Sequence, residues 1–194
     1  MTAAGRFLLA TLVGLVLAGI AHLAAVLAIP WLAERDALTR LAETATADHS
    51  VVIQAAAGAP DGGGRPWLPR PDPALSVGAC AFNLAEGPVR VSARMGALFE
   101  SLSVHGRGTG AFYAVTDRAA VRGALDLVIL TQRQLDELLA REEEDEPSRD
   151  VRIVAPTLRG FVIVRALADL PSERGLADEA ARSVACTIDA PASE

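Results

Sequence analysis

The sequence predicts an α+β protein: a single N-terminal transmembrane helix followed by a mostly antiparallel β domain with two or three flanking helices. Three observations predict it. An uncharged apolar run opens the chain, short runs of alternating apolar and polar residues recur after it, and helix-capping patterns punctuate them. The 194 residues divide into an anchor over 1–30, a stalk helix over 31–50 and a β-rich domain over 51–190.

The anchor comes first. Phe7 to Ile29 reads FLLATLVGLVLAGIAHLAAVLAI, with no charged residue. As a helix this run is roughly 34 Å long, enough to cross a hydrocarbon core of about 30 Å. Pro30 is expected to end the helix and Trp31 to sit in the interfacial belt. A cleaved signal peptide is the competing reading, since Val26-Leu27-Ala28 offers small residues for cleavage. The apolar region of a signal is about 7–15 residues, shorter than this one, so a retained anchor is expected. Arg6 before the span faces Arg35 and Arg40 after it, so charge does not set the orientation. A short tail before one long span is the arrangement of an exported domain, which places the rest in the periplasm of a bacterial inner membrane. His22 lies inside the span, where an ionisable residue suggests function. With no second span to form a pathway, it reads as a neutral imidazole bonded to a carbonyl or a partner helix.

Ala37, Leu38 and Leu41 share one face of the stalk between Glu34 and His49. A strand is expected at Val51–Ala55, then a loop through the Gly/Pro-dense stretch from Gly58 to Pro73. Asp72-Pro73 reads as a helix start, with one or two turns to about Gly78. Cys80–Leu84 is extended, and Glu86-Gly87-Pro88 turns the chain. Strands follow at Val89–Arg94, Phe99–His105, Ala111–Asp117 and Ala124–Thr131, the second and third joined by a glycine-rich hairpin at Gly106–Gly110. Thr131 and Gln134 form a capping box for a helix whose Leu135, Leu138 and Leu139 share a face. Strands Val151–Ala155 and Gly160–Leu167 flank a turn at Pro156. Ser172 is expected to cap a last helix through Ala185, with Leu176, Ala180, Ser183 and Val184 on one face. Phe82, Phe99, Phe112 and Phe161 are expected in the core.

Several function classes are disfavoured. The net charge of -6 argues against nucleic acid, which needs a basic footprint. All 18 basic residues are arginine, a compositional bias and not a physical requirement. Gly62-Gly63-Gly64 lacks the strand and GK[ST] of a phosphate loop, and no helix follows the glycines at 106–110. The acidic run Glu142–Glu146 lacks the alternation of a calcium loop. No cofactor and no metal site is expected. His49 stands in a polar stretch and is expected to be exposed.

Cys80 and Cys186 are the only cysteines. In an oxidising compartment an even pair suggests a disulfide, here pinning the terminal helix to the strand at Cys80. The alternative is two unrelated buried thiols. Neither lies in a CxxC pattern, which disfavours metal and thiol chemistry.

Period-two alternation directs Val89, Val91 and Ala93 inward and Arg90, Ser92 and Arg94 outward. It sets Leu102 and Val104 against Ser101, Ser103 and His105. If these two strands pair, one sheet face collects Arg90, Arg94, Ser103 and His105. That face could bind an anionic ligand or support Ser/His chemistry with an acid such as Asp117. The wet face of a one-sided sheet would look the same.

The chain resembles the bacterial domain of unknown function 1254 family in its short, membrane-anchored form. The resemblance rests on the anchor running into Ile29-Pro30, on Asp72-Pro73 with Cys80-Ala81-Phe82-Asn83-Leu84, and on Gly87-Pro88-Val89-Arg90-Val91. It continues through Ser101-Leu102-Ser103-Val104-His105, Phe112-Tyr113 leading to Asp117-Arg118-Ala119-Ala120, Arg159 to Arg165, and the end of the last helix near Cys186. The chain departs at Ala81, Asn83 and Ala111, where the pattern carries Arg, Asp and Asn, which would remove part of any site there. The resemblance implies a membrane protein without an established activity. It also implies a separate companion carrying the second domain of longer relatives, the domain of unknown function 1214. The expected function is therefore a non-enzymatic envelope protein, anchored in the lipid bilayer through residues 7–29, that docks this companion. A periplasmic small-ligand-binding domain is the alternative, and a hydrolase using Ser103 and His105 the weaker one.

Overall fold

The computed structural model describes residues 2–32, 41–42, 45, 48–58, 71–141 and 150–189. The chain forms two compact units, Met1–Thr39 and Arg40–Glu194. The first is helix α1, Ala3–Leu32. Its Ala3–Ile29 stretch has a mean hydropathy of 2.5 and none of it is buried in the protein, so it is long and apolar enough to cross a membrane. Phe7, Leu8, Leu15, Leu23 and Leu27 all expose most of their side chains. A helix that is apolar on every side has no single face to lay on a core. Pro30 does not end the helix, which runs two residues further, to Leu32.

The second unit contains nine strands and two helices among its described residues. In chain order they are β1 (Val51–Gln54), β2 (Leu75–Asn83), β3 (Val89–Arg94), β4 (Phe99–Gly106), β5 (Gly110–Thr116) and β6 (Ala124–Leu130). Then come α2 (Gln132–Leu139), β7 (Val151–Val154), β8 (Arg159–Leu167), α3 (Arg174–Arg182) and β9 (Ala185–Ile188). They form a five-stranded sheet in the order β1-β2-β8-β4-β5 and a four-stranded sheet in the order β7-β6-β3-β9. Every pairing is antiparallel except β6 with β7. The core lies between the sheets. Cys80, Phe82, Leu102, Val104, Val162 and Val164 come from the first, and Val89, Val91, Leu125, Leu127, Ile129 and Cys186 from the second. The alternation predicted for β3 and β4 holds, with Val91 and Val104 fully buried.

Three local expectations give way. The helix expected at Asp72-Pro73 is a turn: the Asp72 carboxylate accepts the Ala74 N–H at 2.9 Å, and the chain enters β2 at Leu75. An aspartate bonded two residues ahead offers the backbone a turn as readily as a helix cap. From there all nine residues of β2 pair with β8, a ladder that a helix would forfeit. The last helix ends at Arg182, so Cys186 sits on a strand. It is Ala177, Asp178 and Ala181 that are buried, while Leu176 is exposed and Ser172 makes no cap. Finally Phe99, at the outset of β4, is 49% exposed and not a core residue.

Small residues let α3 lie flat on the first sheet. A side chain at Gly78 would strike the Ala181 carbonyl and the Ser50 hydroxyl. Asp178, on the buried face, accepts the N–H groups of Ala56 and Ala57 at 2.7 and 3.1 Å, closing the end of β1. The capping box of α2 forms as predicted, with Thr131 and Gln134 bonded reciprocally. Cys80 and Cys186 form a disulfide that staples β2 to β9, one sheet to the other, in place of the helix-to-strand link expected. The stalk expected over 31–50, the loop at 58–73 and the acidic run lie mostly outside the described residues; Leu41 is helical and buried, and His49 is exposed.

Candidate functional site

The four candidate residues do not share a face. β3 pairs with β6 and β9, whereas β4 pairs with β8 and β5. Arg90 and Arg94 therefore lie outside one sheet, and Ser103 and His105 outside the other. Arg90 is committed to the fold. It donates to Asp150 at 3.0 and 2.9 Å and to Asp189 at 3.3 and 3.2 Å. These bonds tie β3 to the entry of β7 and the exit of β9. The Arg90 hydrogen bonds hold the Asp150 carboxyl below its ordinary range. Arg94 is exposed.

On the other sheet Ser103 and His105 do meet, with Oγ and Nε2 2.9 Å apart. A third residue completes the group: Arg165 on β8 donates to the Ser103 Oγ at 3.0 Å. Burial, and then the Arg165 charge, lower the His105 pKa and so favour the neutral imidazole. The adjacent outward positions are Ser101, opposite Arg165, and Thr116 on β5, opposite Ser101. Five hydrogen-bonding side chains thus crowd one region: Ser101, Ser103, His105, Thr116 and Arg165. Among the described residues no carboxylate joins them. The five strands of this sheet contain one acidic residue, Glu100, and it points into the core, 1% exposed. Arg165 is a half-buried cation whose hydrogen bond goes to a neutral hydroxyl.

The geometry is wrong for acyl transfer. Ser103 sits in mid-strand with ladders on both sides, so nearby backbone N–H groups are engaged and leave no oxyanion hole. A neighbouring arginine opposes formation of the imidazolium that a general base must become. Asp117 offers no help: it lies in the turn after β5, and its charge acts on Glu100. Among the described residues no three His, Cys, Asp or Glu side chains come together around a metal position.

Glu100 yields a stability prediction. Its Oε1 accepts the Gly96 N–H at 2.8 Å, but its Oε2 is buried without a partner. Burial raises its pKa above the ordinary 4.5, and Asp117 adds to the rise. A raised folded pKa contributes stability fully below the unfolded value and loses it as pH rises through the folded one. Glu100→Gln should therefore stabilise the domain at pH 7 by about 1 kcal/mol or more. In urea melts that gain should shrink toward pH 4; a destabilised variant at pH 7 would contradict the assignment.

A cleft of about 500 Å³ lies nearby, lined by Asn83, Ala85, Arg107, Thr157, Leu158 and Arg159. Its amide and hydroxyl are already used, Asn83 on Glu86 at 2.6 Å and Thr157 on the Arg159 carbonyl at 3.0 Å.

Sequence reading paired Ser103 with His105 because both sit on one side of one strand. It missed Arg165. The alternation of β8 marks residue 165 as outward, but only the pairing of β8 with β4 brings it to Ser103.

Fold and site together define an α+β protein: one apolar N-terminal helix, then a disulfide-stapled two-sheet domain with a polar cluster on an outer face. No protein-family model matches the chain. No curated protein matches it. Among solved structures it is similar to the VPA0106 protein from Vibrio parahaemolyticus, with 15% identity and a TM-score of 0.48 over 62% of this chain and 29% of that one. It is also similar to an uncharacterized protein from Burkholderia cenocepacia, with 13% identity and a TM-score of 0.38 over 63% of this chain and 32% of that one. The chain spans about a third or less of the length of both.

Proposed function

We propose that this chain is a non-enzymatic interaction domain, tethered to the cell membrane by α1 and exported, that docks a companion protein along strand β5. The observation that carries the reading is the state of that strand. β5 ends the five-stranded sheet, and among the described residues nothing pairs with its outer side. Its seven residues, GAFYAVT, include no charge and no proline, and Ala111 and Ala114 are exposed. β5 carries one bulge, at Phe112 between Tyr113 and Ala111; beyond it, the described residues show none of the lysine, proline or covering element with which soluble proteins keep unpaired backbone groups from recruiting another strand. An edge left open suits strand addition, in which main-chain bonds supply the affinity. The disulfide is compatible with an exported domain, and the resemblance to the family of unknown function 1254, with its companion domain, points the same way.

The test is recovery of a companion from detergent-solubilised membranes by the tagged full-length chain, compared with Ala114→Glu. Ala114 is exposed, so the glutamate spares the core while its charge guards the edge. The expected result is a specific partner that the variant loses at least tenfold. A partner retained equally by the variant, or none above background, would sink the reading.

A further inference from the structure

We infer, resting on the docking reading above, that the segment joining β5 is acidic and that Arg165 is the residue that selects it. The argument starts from charge. The whole chain carries a net -6, yet the outward positions of β4, β5 and β8 hold no carboxylate. They hold His105, Arg159 and Arg165. Arg165 is the instructive one: half-buried, it donates to Ser103 and has no acidic partner among the described residues, whereas Arg90 on the other sheet has two. A partly desolvated guanidinium without a counter-ion is costly, and a carboxylate delivered from outside removes the cost.

Register places that charge two strands in from the open edge. Arg165 lies opposite Ser101, Ser101 opposite Thr116, and Thr116 is on β5 itself. Ser103 is opposite Ala114, and His105 opposite Ala111. Both alanines are short and exposed, so nothing large on β5 stands between a newly added strand and the cluster. Alternate side chains of that strand would lie on the same face as Arg165, whose guanidinium leans over β4 onto Ser103; the remaining two strand spacings, about 10 Å, are spanned by a glutamate side chain and one bridging water. Neutral His105 and the hydroxyls of Ser101 and Thr116 can add donors around the carboxylate. An acidic strand is also the one that a net-negative chain would otherwise repel, so Arg165 supplies selectivity that the backbone ladder cannot.

The test uses full-length protein in neutral detergent and a labelled peptide alternating valine and glutamate, read by fluorescence anisotropy. The matching valine–glutamine peptide and inorganic phosphate are the comparison probes. The expected result is at least tenfold tighter binding of the glutamate peptide at low salt, a preference that weakens at high salt. Arg165→Gln should abolish the preference, and Arg165→Lys, which keeps the charge, should retain it. Equal binding of the two peptides, an unchanged preference in Arg165→Gln, or its loss in Arg165→Lys would overturn the inference. So would displacement of the peptide by phosphate at comparable concentration, which would mark a small-anion site. If Ala114→Glu releases the companion but Arg165→Gln does not, docking at the edge stands and acidic selection falls.

Discussion

Gly160→Ala should destabilise the domain by about 2–3 kcal/mol, lowering the melting temperature by roughly 5–10 °C. Gly160 lies on β8, the middle strand of the five-stranded sheet, paired with Phe82 on one side and Gly106 on the other. A methyl group there would strike the His105 carbonyl and the Phe82 ring. Neither can give way. The carbonyl belongs to the β4 backbone, and Phe82 is 4% exposed in the core. The expansion must therefore push two ladders apart at once. Thermal unfolding followed by circular dichroism measures the effect, and a native melting temperature would show that the sheet relaxes more easily than its packing implies. Because the strain falls on the strands under Ser103 and His105, the variant should also weaken any binding at the cluster.

The second large effect belongs to the disulfide. Replacing Cys80 and Cys186 together by alanine should cost about 2–5 kcal/mol. The two residues are 106 apart in sequence, and a loop of about 100 residues is worth roughly 4.7 kcal/mol in the chain-entropy account. β9 has only four residues; it pairs with β3 and, through the His49–Ala185 bridge and the Cys186 N–H to Asp48 carbonyl bond, with the segment entering β1, and the crosslink is its covalent tie to the opposite sheet. Urea unfolding with and without reductant gives the value. The same pair reports on compartment, since such bonds persist where the surroundings oxidise. In cells lysed directly into denaturant containing maleimide, which exposes the buried cysteines, both should stay unlabelled unless reductant is added first. Labelling without reductant would argue that the domain is not exported.

Local order was legible in the sequence to a degree that pairing was not. The alternation in Val89–Arg94 and Phe99–His105 identified which side chains face inward, because a strand has a fixed period of two. It could not say that these consecutive strands belong to different sheets. Neighbours in sequence usually pair, but β4 crosses to the sheet whose centre is β8, and β3 finds β6 and β9. That one crossing dissolves the expected Arg90–His105 face and brings Arg165 to Ser103. Asp72-Pro73 misled for a different reason: an aspartate's local bond serves turn and helix start alike, and the long-range ladder of β2 decided between them. Asp178 was illegible because its partners, Ala56 and Ala57, are backbone groups some 120 residues away.

The position of β8 has a further consequence, for the order of assembly. Its residues, 159–167, are inserted between two strands that precede it by at least 50 positions, and β9 completes the other sheet only at 185–188. Until those late segments arrive, β2 and β4 have no common neighbour and the first sheet remains in two halves. Loop closure over such separations is slow. A chain emerging from its N-terminus thus stays open for most of its synthesis, and the closing of both sheets waits for the final stretch.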